Sequence, residues 1–263
     1  EIMLDTFNQA REYGAAWDVF RAGKTATAPR RDLRLEAALE ILKGDRLIHI
    51  HSYRSDEILA FIRLAEQLHL NVATFQHILE GYKVASEIAK IGAGGSSFSD
   101  WWGYKFEVFD AIPYNGALMS RAGVVVSFNS DDDEMARRLN TEAAKAVKYG
   151  GIAPMEALKF VTINPAKQLK IDKRVGSLEP GKDADFVIWN GSPLSTMSRP
   201  DSTWIDGRRY FDRDDDLRLR ATAATERAAL LQKALAERQK ALTRPGGGGD
   251  GPPAEPAAVA AHA

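Results

Sequence analysis

The chain contains no cysteine among its 263 residues. That absence excludes disulfides, thiol nucleophiles and sulfur-ligated zinc sites together. It leaves the compartment unread, because enzymes of oxidising compartments can also lack cysteine. No apolar run approaches the roughly 20 residues that a bilayer-spanning helix needs, so no membrane partner is expected. Neither sign of charge dominates: 35 Lys and Arg stand against 36 Asp and Glu, a formal net charge of −1. Basic residues are scattered among acids instead of forming a stripe, so no nucleic-acid partner is expected. What remains, 44% hydrophobic and 27% charged residues, is the composition of an ordinary globular protein.

Against that plain background, the run from Val124 to Glu134 drives an apolar strand into a cluster of carboxylates, Asp131, Asp132 and Asp133. Buried strands of parallel sheets read as near-continuous Val/Ile/Leu runs, and in β/α barrels chemistry is done at their C-terminal ends. Asp131 therefore stands where a metal ligand or a general base would stand. Two histidines hold equivalent places upstream. Leu47-Ile-His-Ile-His51 reads as a strand ending in histidine before a helix from Ser55 to about His69. Asn71 to His77 repeats the arrangement before a helix from Gly81 to Lys90. His77 follows His51 by 26 residues and Asp131 follows His77 by 54. A barrel of eight strand-helix units averages roughly 31 residues per unit, so these spacings match one unit and two. The intervening strand is placed at Gly92 to Ser97, where a close backbone approach to a ligand would explain the glycines.

These residues carry a family resemblance. His51 in HIHSYR, His77 in FQHILEGY and Asp131 in SFNSDDDE resemble the ligands on the fifth, sixth and eighth strands of amidohydrolase-superfamily enzymes, closest to the imidazolonepropionase-like branch. Thr162-Ile-Asn-Pro-Ala-Lys167 and the stretch from Val175 to Trp189 look like the segment by which such chains leave the barrel and re-enter a small β-sandwich. The match runs from about Arg30 to Arg213. It implies an α/β fold: strands 5–8, the C-terminal half, of a (β/α)8 metal-dependent hydrolase barrel, plus a few β-sandwich strands. It further implies a divalent metal, zinc first, with one or two ions in the complete enzyme, and a small-molecule amide substrate.

Nothing before Leu35 reads as the first-strand His-x-His pair or the fourth-strand lysine or glutamate of such enzymes. Residues 1–23 read as a polar helix, neither sandwich strand nor signal peptide. The chain is thus expected to be the C-terminal half of a longer enzyme, inactive by itself, with the N-terminal half of the barrel or a second copy as its partner. Its expected divisions are a partial barrel over 1–174, sandwich strands over 175–213, a helix over 214–244 and a disordered Ala/Pro/Gly tail over 245–263 that contains His262.

The expected site follows from these placements. His51, His77 and Asp131 hold the metal, and Asp131 is also the catalytic base. A lone histidine is more often a hydrogen-bonded core residue; the ordered set of three tips the reading toward ligands. Tyr53, Arg54, Trp101 and Trp102 are candidate substrate contacts, with Tyr104 and Lys105 on the same loop; covering the barrel edge is an equal alternative for the aromatic residues. His49 shares the strand face of His51 but is expected in the core or behind the ligands. His69 is expected at a helix end, and Asp133 is expected to begin a helix. Two functions remain open: hydrolysis of a cyclic or linear non-peptide amide or a dipeptide, or a non-catalytic half-barrel scaffold that lacks the first- and fourth-strand ligands.

Overall fold

The computed structural model describes residues 1–243. They fall into two compact units, one from Glu1 to Tyr210 and one beginning at Phe211. The first opens with helices α1 (Ile2–Arg21) and α2 (Leu33–Lys43), packed on each other. Asp32 caps α2 by accepting hydrogen bonds from the amides of Arg34 and Leu35 at 2.9 and 3.2 Å. Gly44 ends it in a left-handed conformation with φ 79°. A short carboxylate satisfies orphan N–H groups at a helix start, and glycine tolerates positive φ at a helix end.

Strand-helix alternation then begins. Strand β1 (Ile48–His51) leads to α3 (Ser55–Leu68), and β2 (Val72–Gln76) to a 3₁₀ turn at Gly81–Val84 and α4 (Ala85–Lys90). Strand β3 (Gly94–Ser97) leads through a long loop to α5 (Asn115–Arg121). Strand β4 (Val125–Phe128) is followed by α6 (Asp133–Ala136), α7 (Leu139–Gly150), α8 (Pro154–Lys159) and α9 (Ile163–Gln168). The helical stretch that begins at Asp133 is two helices. It breaks at Arg138, which leaves helical geometry at ψ 31° and turns its guanidinium to Glu142. The four strands form one parallel sheet in sequential order, with Ile48 beside Val72, Thr74 beside Gly94 and Gly94 beside Val125. The chain is therefore α/β with a parallel sheet.

The core lies between this sheet and its helices. Ile58, Phe61, Ile62 and Leu68 of α3 meet Phe75 of β2, Met119 of α5 and Val126 and Phe128 of β4. Phe75, Ile58 and Val126 are wholly buried, each worth about 1.5–3 kcal/mol relative to exposure. The glycines of β3 have a different cause from the one expected. A Cβ on Gly94 would meet the Gln168 side chain at 2.8 Å, and one on Gly95 would meet Ile78 at 2.9 Å. No ligand is required, because Gln168 of α9 occupies the space, donating to the Val125 carbonyl at 2.8 Å and accepting from Ser127 Oγ at 2.7 Å.

Beyond α9, Gly176 turns with φ 92°, and a Cβ there would come within 2.9 Å of the Ile163 backbone. Only glycine fits both the angle and the contact. Strands β5 (Phe186–Trp189), β6 (Pro200–Ile205) and β7 (Arg208–Asp212) form a separate three-stranded sheet. The β6–β7 turn is Asp206-Gly207, both at positive φ as a two-residue hairpin turn requires. In the second unit, α10 runs from Arg213 to Leu242 with Asp212 as its N-cap and no buried residue. The expected disordered tail, with His262, lies outside the described residues.

Candidate active site

In a parallel sheet every strand ends on the same edge, and that edge gathers the expected ligands. His51 is the last residue of β1, His77 directly follows β2, and Asp131 lies three residues beyond β4. The rings of His51 and His77 are 4.3 Å apart between centroids, tilted by 54°. Nδ1 of His77 is 3.7 Å from Oδ2 of Asp131. His77 is buried, whereas the Asp131 side chain is 57% exposed, so the carboxylate can reach a solvent-borne reactant. Both His77 and Asp131 hold left-handed backbone, at φ 61° and φ 51°. Non-glycine residues pay for that conformation, and such strain gathers where function demands a fixed side-chain direction.

An aromatic wall rises beside the histidines. Phe98 stacks on His77 at 5.0 Å, and Trp101 stacks on Phe98 at 4.4 Å. Tyr53 stacks on the imidazole of His77 at 5.8 Å, and Tyr104 meets Trp101 edge-on at 5.4 Å. Lys105 places its ammonium 3.7 Å from the centre of the Tyr53 ring. Two other candidates point elsewhere. Trp102 packs edge-on against Tyr149 at 6.2 Å, and Arg54 forms a two-point ion pair with Asp56 at 3.0 and 3.3 Å.

Several supporting residues escaped the sequence reading. Asn129 puts its amide nitrogen 3.2 Å from His77 Nδ1, and its Oδ1 is buried with no hydrogen-bond partner. Its place at the end of β4, two residues before Asp131, was the available signal. Glu142 of α7 is wholly buried and accepts from Arg138 at 2.9 Å, from Lys145 at 2.7 Å and from Ser99 Oγ. Lys145 also pairs with Asp100. This cluster anchors the start of the loop that carries Trp101, Tyr104 and Lys105; no local pattern announced it.

The remaining histidines are accounted for. His49 is exposed on β1, 3.2 Å from the Gln76 amide nitrogen, so of its two expected places, in the core or behind the ligands, the structure excludes the core. The reason is that Ile48 and Ile50, on the opposite face, take the core side of β1. His69 is the left-handed C-cap of α3. Asp132 caps α6 through the Met135 amide at 2.7 Å, and Asp133 is that helix's first residue.

Burial pushes the His77 imidazole below its ordinary pKa; the neighbouring Asp131 carboxylate opposes this, and the His51 and Lys105 charges reinforce it. A neutral imidazole is the form that ligates metal. The Tyr104 phenol is pushed up to about 12, first by desolvation and then by Tyr53. Two imidazoles and a carboxylate are the donor set of hydrolytic zinc, and the orphaned Oδ1 of Asn129 leaves an unused acceptor beside them. In donor chemistry the residues fit a divalent metal. Among the described residues, however, no group of three or more His, Asp or Glu is gathered closely enough to hold one ion.

Residues 110–210 match the amidohydrolase family. The fold superposes on the crystal structure of an amidohydrolase from Thermotoga maritima with a TM-score of 0.73 and 29% identity, covering 81% of this chain and 55% of that one. Amidohydrolase tasK of Hapsidospora irregularis is 29% identical over 186 residues, 69% of this chain and 19% of its own length. Imidazolonepropionase of Thermoplasma volcanium is 33% identical over 121 residues, 45% of this chain and 29% of its own. The chain thus spans about half of the solved structure it resembles and less than a third of these curated relatives. With histidines and an aspartate on the C-terminal edge of its parallel sheet and these likenesses along its length, the chain resembles the enzymes of the amidohydrolase superfamily.

Proposed function

We propose that this chain forms the C-terminal part of a metal-dependent hydrolase that cleaves a C–N bond in a small cyclic or linear amide or a dipeptide. One observation carries the reading: His77 lies against both His51 and Asp131 on the C-terminal edge of a single parallel sheet. In this reading β1 to β4 are the fifth to eighth strands of a (β/α)8 barrel, and β5 to β7 belong to a composite β-sandwich. The likeness to the Thermotoga amidohydrolase over 81% of the chain supports it.

His51, His77 and Asp131 would hold the metal, zinc first, as one or two ions. A bound divalent cation supplies Lewis acidity that polarises the scissile carbonyl and makes a water more acidic. Asp131 takes the proton of the attacking water and hands it to the leaving nitrogen, since its carboxylate is exposed to the substrate side. His77, held by Phe98 and Tyr53, keeps its ring direction while the reaction proceeds. Trp101 and Tyr53 wall the substrate and limit the entry of bulk water.

A second reading, a non-catalytic half-barrel, is favoured by the absence of a closed three-residue metal group among the described residues. Zinc titration of the chain, alone and with the N-terminal strands of a related barrel supplied in trans, separates the two. The hydrolase reading expects weak binding alone and tight binding with amide hydrolysis on completion, because a ligand set needs its supporting framework. Equal zinc affinity in both cases, with no hydrolysis of any amide offered, sinks it.

A further inference from the structure

We propose that Lys105 is the anion-binding residue of this site, and that its substrate is an amide bearing a free carboxylate. This deepens the hydrolase reading and rests on it for the word substrate. The Lys105 ammonium lies 3.7 Å from the centre of the Tyr53 ring and 5.6 Å from that of Tyr104. Tyr53 stacks on His77, so this cation stands in the wall of the site, one ring away from the expected ligands.

The cations around it differ in one respect. Arg54 is paired with Asp56, Lys83 with Glu80 and Asp110, and Lys145 with Asp100 and Glu142. Among the described residues no carboxylate lies within 4.0 Å of Lys105. A partly buried ammonium without a counter-charge loses hydration and gains only the attraction of the ring faces. Ring faces stabilise the charge but leave its N–H donors without oxygen acceptors, so the group is prepared for an incoming anion. Tyr104, half exposed beside Trp101, offers apolar surface for the remainder of such a molecule. Arg54, the other cation among the candidate substrate contacts, is already paired with Asp56.

The test uses the whole chain and two probes that differ only in charge, hippurate and hippuramide, with binding followed by calorimetry. A hydrogen bond to a charged group contributes about 1.5–3 kcal/mol, so hippurate is expected to bind about ten- to a hundredfold more tightly than hippuramide. Lys105→Met, which keeps the length of the stem over Tyr53, is expected to erase that preference, and Lys105→Arg to retain most of it. A thermal melt of each variant separates loss of binding from loss of fold. Equal binding of the two probes, undiminished hippurate binding in Lys105→Met, or no binding of hippurate at all overturns the assignment. The hydrolase reading fails separately: a Lys105-dependent preference with no amide hydrolysed by the completed enzyme removes that reading and leaves the carboxylate site standing.

Discussion

His77 and Asp131, 54 positions apart in the chain, meet at 3.7 Å between Nδ1 and Oδ2, and each holds its side chain there from a left-handed backbone. In the proposed hydrolase that contact divides the labour of the site: the buried imidazole would be the fixed ligand, and the exposed carboxylate the group that trades protons with solvent-borne reactants.

The Asp131→Asn variant of the completed enzyme is expected to lose on the order of 10² to 10⁴ in kcat, the usual cost of removing a positioned proton-transfer group. It keeps the size of the side chain and one acceptor oxygen, so much of the metal should remain. His77→Ala should lose metal as well as turnover. Measuring kcat together with metal content decides; near-parental kcat in Asp131→Asn moves the role to a neighbour such as Asp132.

Strands β1 and β4 are the edges of the four-stranded sheet among the described residues. Unpaired edges and the open face between them invite another chain, which a closed barrel prevents. The chain alone is therefore expected to self-associate at micromolar concentration and to melt with poor cooperativity. Analytical ultracentrifugation showing a clean monomer that unfolds in one sharp transition contradicts this.

Glu142 holds a charge where no water reaches it. Glu142→Ala leaves Lys145 and Ser99 without that acceptor, a loss of about 3 kcal/mol, the lower end for a broken buried pair because Lys145 is partly exposed. Since the cluster anchors the loop carrying Trp101, the variant should also change tryptophan fluorescence. Urea unfolding within about 0.5 kcal/mol of the parent means that the cluster contributes little.

Gly176→Ala forces a side chain into φ 92° and against the Ile163 backbone at 2.9 Å. The expected destabilisation is about 1–3 kcal/mol, from backbone strain and crowding together. A parental thermal midpoint shows that the turn can relax at no cost.

Much of the fold was legible in the chain because its signals are local. Gly44 ends α2, Pro154 opens α8, and Asp206-Gly207 makes a hairpin turn; each acts on backbone conformation within a few residues of itself. The spacing of His51, His77 and Asp131 was legible for a related reason. Successive parallel strands end on one edge, so position along the chain implies position in space. The split of the helix after Asp131 was not legible, because it depends on a contact between Arg138 and a buried Glu142.

By itself, the sequence determined the strand-helix alternation, the strand ends at which histidine and aspartate stand, and the turns between elements, since backbone hydrogen bonding and face-by-face burial are set by neighbours in the chain. Tertiary structure alone decided which side chains meet. It paired Arg54 with Asp56, sent Trp102 to Tyr149, laid Lys105 on Tyr53, and filled the space above the β3 glycines with Gln168. Those outcomes depend on close packing between segments distant in sequence, where one side chain's volume excludes another and a charge settles on whichever partner the fold brings near.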